Sequence, residues 1–182
     1  MQIAVVIAQC AIKNKGDKMR NNTCCFSGNR SDKLPWKDNE NDEMCLEIID
    51  KTRELIKQAI ADGYEYFITG MAIGYDMICA EIVIELKNEY PHIKLIGAIP
   101  CRNQEKYWTI RNKERYQNIL QHLSTYIVLS REYNSKCIER RNQYMVNNSS
   151  LLIALYDGKR GGVKNTIEYA KQKGLEIKII DF

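Results

Sequence analysis

Thr69-Gly70-Met71-Ala72-Ile73-Gly74-Tyr75-Asp76 lies between the apolar run 64–68 and a helix-like stretch over 77–87. A strand that ends in glycines and opens a helix brings bare backbone N–H groups and a positive helix end to one point, which suits a phosphate or another anion. The spacing is neither the dinucleotide fingerprint G-x-G-x-x-G nor a P-loop. Gly70 is read as leaving room for the anion, and Asp76, in the first helical turn, as a helix cap or a partner for a ribose. Three more apolar runs end in the same way: Cys24-Cys25-Phe26 before Ser27-Gly28-Asn29-Arg30, 95–99 before Pro100-Cys101, and 151–155 before Tyr156-Asp157-Gly158. In an open parallel sheet such loops converge at the carboxyl ends of the strands, where ligands bind. Arg30 and Arg141 could fork onto phosphate. Trp36, Trp108 and Tyr156 offer faces for a base to stack on, with Trp108, on an amphipathic helix, closer to a core residue. Cys101 follows Pro100 with no histidine nearby in sequence to activate it, and reads as a pocket wall.

The elements that must position these residues alternate along the chain. Periodicity predicts strands over 23–27, 64–69, 93–99, 126–130, 149–155 and 176–180, and helices over 42–62, 74–88, 104–122, 136–148 and 162–174. That alternation, with buried β-branched strands, implies an α/β fold: a doubly wound, mainly parallel sheet with helices on both faces. Residues 31–41, with Leu34-Pro35-Trp36 at their centre, read as a loop over the sheet edge or the pocket mouth.

A chain of 182 residues with 45% hydrophobic content can bury one core. Residues 23–182 read as a single domain, and 1–22 as an N-terminal extension or extra strand, with Met19 a candidate natural start. The net charge of +4, with basic residues scattered among 23 acidic ones, favours a local anion site and argues against nucleic acid as a partner. Seven cysteines, placed mostly inside elements and without C-x-x-C spacing, indicate reduced, cytoplasmic usage and no structural metal. No apolar run is long enough to span a bilayer, so no membrane partner is expected.

Read in order, Thr23-Cys24-Cys25-Phe26-Ser27-Gly28-Asn29-Arg30, Leu34-Pro35-Trp36, Phe67-Ile68-Thr69-Gly70-Met71-Ala72, Ala98-Ile99-Pro100-Cys101 with Gln104 and Trp108, Arg141-Asn142 with Tyr144-Met145-Val146, and Tyr156-Asp157-Gly158 with Gly161-Gly162 resemble the YpsA-like branch of the SLOG superfamily. The resemblance spans about residues 22–182 and implies a Rossmann-like fold that binds nucleotides or nucleotide-derived ligands. The chain departs from the branch at Asn29 and Ser31, where His and Pro are usual, and at Val163, where Thr is usual. Loops and resemblance together give an expected ligand-binding set of Gly28, Asn29, Arg30, Trp36, Thr69, Gly70, Met71, Ala72, Gly74, Asp76, Pro100, Cys101, Arg141, Asn142, Tyr156, Asp157, Gly158, Gly161, Gly162 and Thr166.

Two related families mark the alternatives. The segment 70–76 with Gly28-Asn29-Arg30 and Arg141-Asn142 is similar to the single-strand DNA-binding DprA proteins. Arg141, Met145 and Ile153-Ala154-Leu155 fall at the spacing of the LOG phosphoribohydrolases, for which Arg141 and Glu168 would be the catalytic pair. The loop 157–164 lacks the P-G-G-x-G-T sequence of those enzymes, so binding is favoured over catalysis. The expectation is a cytoplasmic protein, a homo-oligomer without a cofactor, that binds a signal of the ADP-ribose or cyclic ADP-ribose class. It would act as a sensor or a sequestering protein, in a cell or in phage–host conflict.

Overall fold

Short runs rich in branched and aromatic side chains, bounded by polar turns, form six strands of one sheet. In the computed structural model, which describes residues 16–182, these are β1 Thr23–Ser27, β2 Tyr66–Thr69, β3 Lys94–Ile99, β4 Thr125–Val128, β5 Leu151–Tyr156 and β6 Glu176–Asp181. The order is β4-β3-β2-β1-β5-β6 and every neighbouring pair is parallel. From β1 the chain steps outward through β2 and β3 to β4, then returns to the other flank of β1 for β5 and β6. The reversal puts a switch point between β1 and β5, where connections leave in opposite directions and a crevice opens at the carboxyl ends.

The helices are α1 Gly16–Asn21, α2 Glu43–Ala61, α3 Tyr75–Leu86, α4 Ile110–His122, α5 Cys137–Asn147 and α6 Gly162–Gln172. α2, α3 and α4 cover one face of the sheet, and α5 and α6 the other. Because side chains alternate along a strand, Cys24, Phe26, Phe67, Leu95 and Ile153 enter the first core, while Cys25, Ile68, Ala98, Leu152 and Ala154 enter the second. α3 lies under its two neighbours and is buried nearly all round, whereas α2 buries the stripe Cys45, Ile48, Thr52, Ile56, Ala59 and Ile60. The hydroxyl of Tyr75, at the start of α3, shares a 3.0 Å hydrogen bond with Thr52 of α2.

Two readings of the sequence need correction. The predicted helix over 104–122 begins only at Ile110, because Thr109 caps it by accepting from the Asn112 amide at 3.3 Å and Asn103 turns left-handed at φ 54°. Residues 31–41 lie at a pocket mouth only at their start: Ser31–Lys33 form a 3₁₀ turn whose Asp32 and Lys33 line a cavity, whereas Leu34 and Trp36 are 2% and 5% exposed. The Trp36 ring packs 5.9 Å from Phe182, so hydrophobic burial claims the side chain that had been read as a stacking surface. Of the expected extension 1–22, residues 1–15 lie outside the described residues. The short helix α1 is tied to the body where Arg20 donates to the Ser149 carbonyl at 3.2 Å.

The six described cysteines are all buried and unpaired. Burial pushes the Cys25 thiol up to about 12 and that of Cys45 to about 11. Ellman's reagent is therefore expected to label none of these six in the native protein and all of them in guanidinium chloride. Rapid native labelling of Cys101 or Cys137 would show that the β3–α4 and α5 ends open readily.

Candidate functional site

At the switch point the loop after β1 meets the start of α3, the first turns of α5 and the start of α6 around a cavity of about 330 Å3. Its lining includes Ser27, Gly28, Asn29, Arg30, Lys33, Ala72, Asp76, Arg141, Asn142, Gly162 and Val163. Two glycines let the first two loops touch. A Cβ on Gly28 would come within 2.4 Å of the Tyr75 ring, and one on Gly74, at φ 98°, within 2.7 Å of the Asn29 carbonyl. The Tyr75 amide donates to that carbonyl at 3.3 Å, which locks the loops together. These glycines therefore serve loop-on-loop packing.

Behind the cavity lies a buried ion pair. Arg141 donates through Nη1 to Asp76 Oδ2 at 2.6 Å, and the two side chains are 7% and 6% exposed. The same Asp76 oxygen accepts from the Ala72 amide at 3.4 Å, while Thr69 Oγ1 donates to the Asp76 carbonyl at 2.8 Å and accepts from the Met71 amide. Met71 itself sits at φ 56°, a conformation a non-glycine residue adopts only when its surroundings impose it. The expectation that Gly70 leaves space for an anion is corrected: a Cβ there would fall 1.3 Å from Arg141 Nη1 and 2.5 Å from Asp76 Oδ2. The guanidinium fills that space. Arg141 Nε is buried and has no hydrogen-bond partner among the described residues, an expensive condition for a charged group.

α6 supplies the other half. Its N-cap is Gly161, with no side-chain cap and no acidic residue in the first turn, so its leading N–H groups and positive end are unmet. A Cβ on Gly161 or Gly162 would meet nothing within 4 Å among the described residues. Gly161 also lines an adjoining cavity of about 360 Å3 with Asn29, Lys33, Asp157, Lys159 and Arg160. Arg30, Lys33, Lys159 and Arg160 outnumber Asp32 and Asp157 around the two cavities, so the opening favours an anion.

The structure thus brings Gly28, Asn29, Arg30, Ala72, Asp76, Arg141, Asn142, Asp157, Gly161 and Gly162 to one crevice. Thr69, Gly70, Met71 and Gly74 stand behind it as support. Pro100 and Cys101 follow β3, two strands from the switch point, and line none of these cavities. Burial, reinforced by the neighbouring Cys137 thiol, pushes the Cys101 thiol up, which disfavours the nucleophilic thiolate. Tyr156 packs against the α5–α6 side of the core, Gly158 faces open space, and Trp108 stacks edge-on against Tyr116 at 5.5 Å. Thr166 is buried, donating to the Gly162 carbonyl and accepting from Asn142. Arg141 and Glu168 line different cavities, and exposed Glu168 lies 3.7 Å from Lys164. The expected set left out Ser27, Lys33 and Ile138, while Lys159, Arg160 and Val163 fell in the loop expected to carry ligand without being singled out. The cations carried a signal in their loops, whereas Ile138 had none, since only the packing of α5 turns it toward the crevice.

A wholly parallel, doubly wound sheet with its crevice at the β1/β5 switch point defines a Rossmann-like α/β protein. The chain belongs to the YspA SLOG family, whose model, YpsA, matches residues 24–182. With that membership the broad expectation of a Rossmann-like nucleotide- or ligand-binding protein stands. Relatives include the uncharacterized SPbeta prophage-derived protein YoqJ of Bacillus subtilis, 34% identical over 140 residues that cover 70% of this chain and 82% of YoqJ. A UPF0398 protein of Bacillus thuringiensis is 33% identical over 141 residues, covering 74% and 76%. Among solved structures, DNA processing protein A (DprA) of Streptococcus pneumoniae aligns with a TM-score of 0.59 at 18% identity, over 90% of this chain and 51% of its own. This chain thus spans about half of that one. DprA of Helicobacter pylori, solved for its single-stranded DNA binding mode, aligns at 0.60 and 15% identity, over 96% and 75%. These neighbours overturn the argument against nucleic acid as a partner. The physical fault was to judge from net charge, which averages over the surface and hides the grouping of Arg30, Lys33, Lys159 and Arg160 at one crevice.

Proposed function

We propose that the switch-point crevice binds a nucleotide-derived small molecule of the ADP-ribose or cyclic ADP-ribose class, and that the protein acts by holding it, as a sensor or a sequestering protein. The observation that carries this reading is the uncapped start of α6, with no acidic residue in its first turn, at a cavity that the guanidinium-bearing Arg141 also lines. A phosphate accepts from both a guanidinium and helix N-terminal amides, and each charge-assisted bond is stronger than a neutral one. Gly28 to Arg30 close the near side, and Lys33, Lys159 and Arg160 neutralise a second phosphate at the rim. The prophage origin of YoqJ supports a sequestering role in phage–host conflict.

Hydrolysis is disfavoured because the loop 157–164 lacks the P-G-G-x-G-T sequence of the phosphoribohydrolases, and Glu168, the candidate acid or base, is exposed and lies 3.7 Å from Lys164. Single-stranded DNA is the second reading, favoured by the two DprA neighbours. The test is mass spectrometry of what denatured protein releases after expression in cells that make ADP-ribose-type signals, followed by titration of ADP-ribose and of a labelled oligonucleotide. Intact nucleotide at about one per chain is the expected result. A free base with ribose phosphate would establish the hydrolase, and oligonucleotide binding that ADP-ribose does not displace would establish the DNA reading.

A further inference from the structure

The crevice does not end at Arg141. Ile138, Asn142 and Gly162 line both the central cavity and a groove of about 430 Å3 between α5 and α6, so the two spaces adjoin at the α6 N-terminus. Their linings differ in chemistry. Cations and helix-end amides dominate the central and rim cavities, whereas the groove presents the amides of Asn142, Gln143, Asn165 and Gln172, the Ile138 side chain and the ring of Tyr169, together with the carboxylates of Glu139, which accepts from Gln143 Nε2 at 3.2 Å, and Glu168, 3.7 Å from Lys164. Amide side chains pair with the edge of a nucleobase through adjacent donor and acceptor, and an aromatic ring gives its face a surface. Tyr169 is fixed in place: its hydroxyl donates to Asn147 Oδ1 at 3.0 Å, and Lys173 Nζ lies 5.3 Å from the ring centroid. The aromatic residues read from sequence as stacking faces do not line these cavities, and Trp36 is in the core. Asn142 is already oriented, since its Nδ2 donates to Thr166 Oγ1 at 2.9 Å, which leaves its carbonyl oxygen to accept from a ligand.

We propose that the α5–α6 groove is the base-reading subsite of the same ligand site, taking a nucleobase against Tyr169 and the Asn142, Gln143 and Asn165 amides while the phosphate remains at the α6 N-terminus. The inference rests on the proposed nucleotide-binding function. A volume of about 430 Å3 is within the range of small-molecule sites.

Calorimetric titration with AMP and with ribose 5-phosphate separates the subsite from the phosphate site. Tyr169→Leu should weaken AMP about tenfold or more, the scale of a lost base stack, and leave ribose 5-phosphate within about twofold of wild type. Asn165→Trp, on an exposed position of α6, plugs the groove from its rim and should act in the same way. If both variants bind AMP as tightly as wild type, the base lies elsewhere and the inference fails, while the phosphate site stands. If neither probe loses affinity in Gly162→Asp, the proposed site and the subsite fail together.

Discussion

Gly70→Ala is expected to unfold the protein at a much lower temperature and to abolish ligand binding with it. The added methyl would lie 1.3 Å from Arg141 Nη1 and 2.5 Å from Asp76 Oδ2. A flexible guanidinium on a surface could step aside. Here its side chain is 7% exposed and bonded to Asp76 at 2.6 Å, so moving it leaves two buried charges apart. Breaking a buried pair costs about 3–5 kcal/mol, and for a chain of this size each kcal/mol lowers the melting temperature by about 2–4 °C. Asp76→Ala should fall in the same range, because it leaves Arg141 without its counter-charge. The double variant should lose little more than either single one, since both changes remove the same interaction. Thermal unfolding of the three variants checks this, and a shift of about 1 °C or less in Gly70→Ala would mean that the pair has a second arrangement.

Gly162→Asp separates binding from stability in the opposite sense. The position is exposed, opens α6, and has nothing within 4 Å of a built Cβ, so the substitution meets no steric objection. A carboxylate in the first turn stabilises a helix by about 0.3–1 kcal/mol, and replacing a helical glycine adds a similar amount. The melting temperature should rise by about 2–6 °C. The same carboxylate occupies the helix-end amides and repels the ligand phosphate. With two charge-assisted bonds at about 1.5–3 kcal/mol each at stake, affinity for ADP-ribose should fall about a hundredfold or more. A stabilised variant that bound ADP-ribose as wild type would remove α6 from the site.

The elements were legible because most strands are short apolar runs and surface helices keep a buried stripe, as in Cys45, Ile48, Thr52 and Ile56 of α2. The glycine loops marked the carboxyl edge correctly, but not which loops meet. That depends on the strand order β4-β3-β2-β1-β5-β6, which local pattern does not encode; it leaves Pro100 and Cys101 two strands from the switch point while joining the loops after β1 and β5. Trp36 and Gly70 misled for a related reason. A tryptophan or a glycine in a polar or ligand-like motif looks the same whether a ligand or the protein fills the space, and here Phe182 and Arg141 fill it. Tyr169 was passed over because one aromatic residue on an amphipathic helix carries no sign that a groove lies beside it.

The most direct measurement is a two-dimensional 15N–1H correlation spectrum of the labelled protein titrated with ADP-ribose. The largest amide shifts are expected at Asn29, Arg30, Gly161, Gly162 and Val163, downfield at the α6 start where N–H groups take up phosphate, and these shifts should be lost in Gly162→Asp. Saturable shifts confined instead to the amino ends of the strands, around Thr23, Tyr66 and Leu151, would place the ligand on the opposite edge of the sheet and rule out the switch-point crevice as its site.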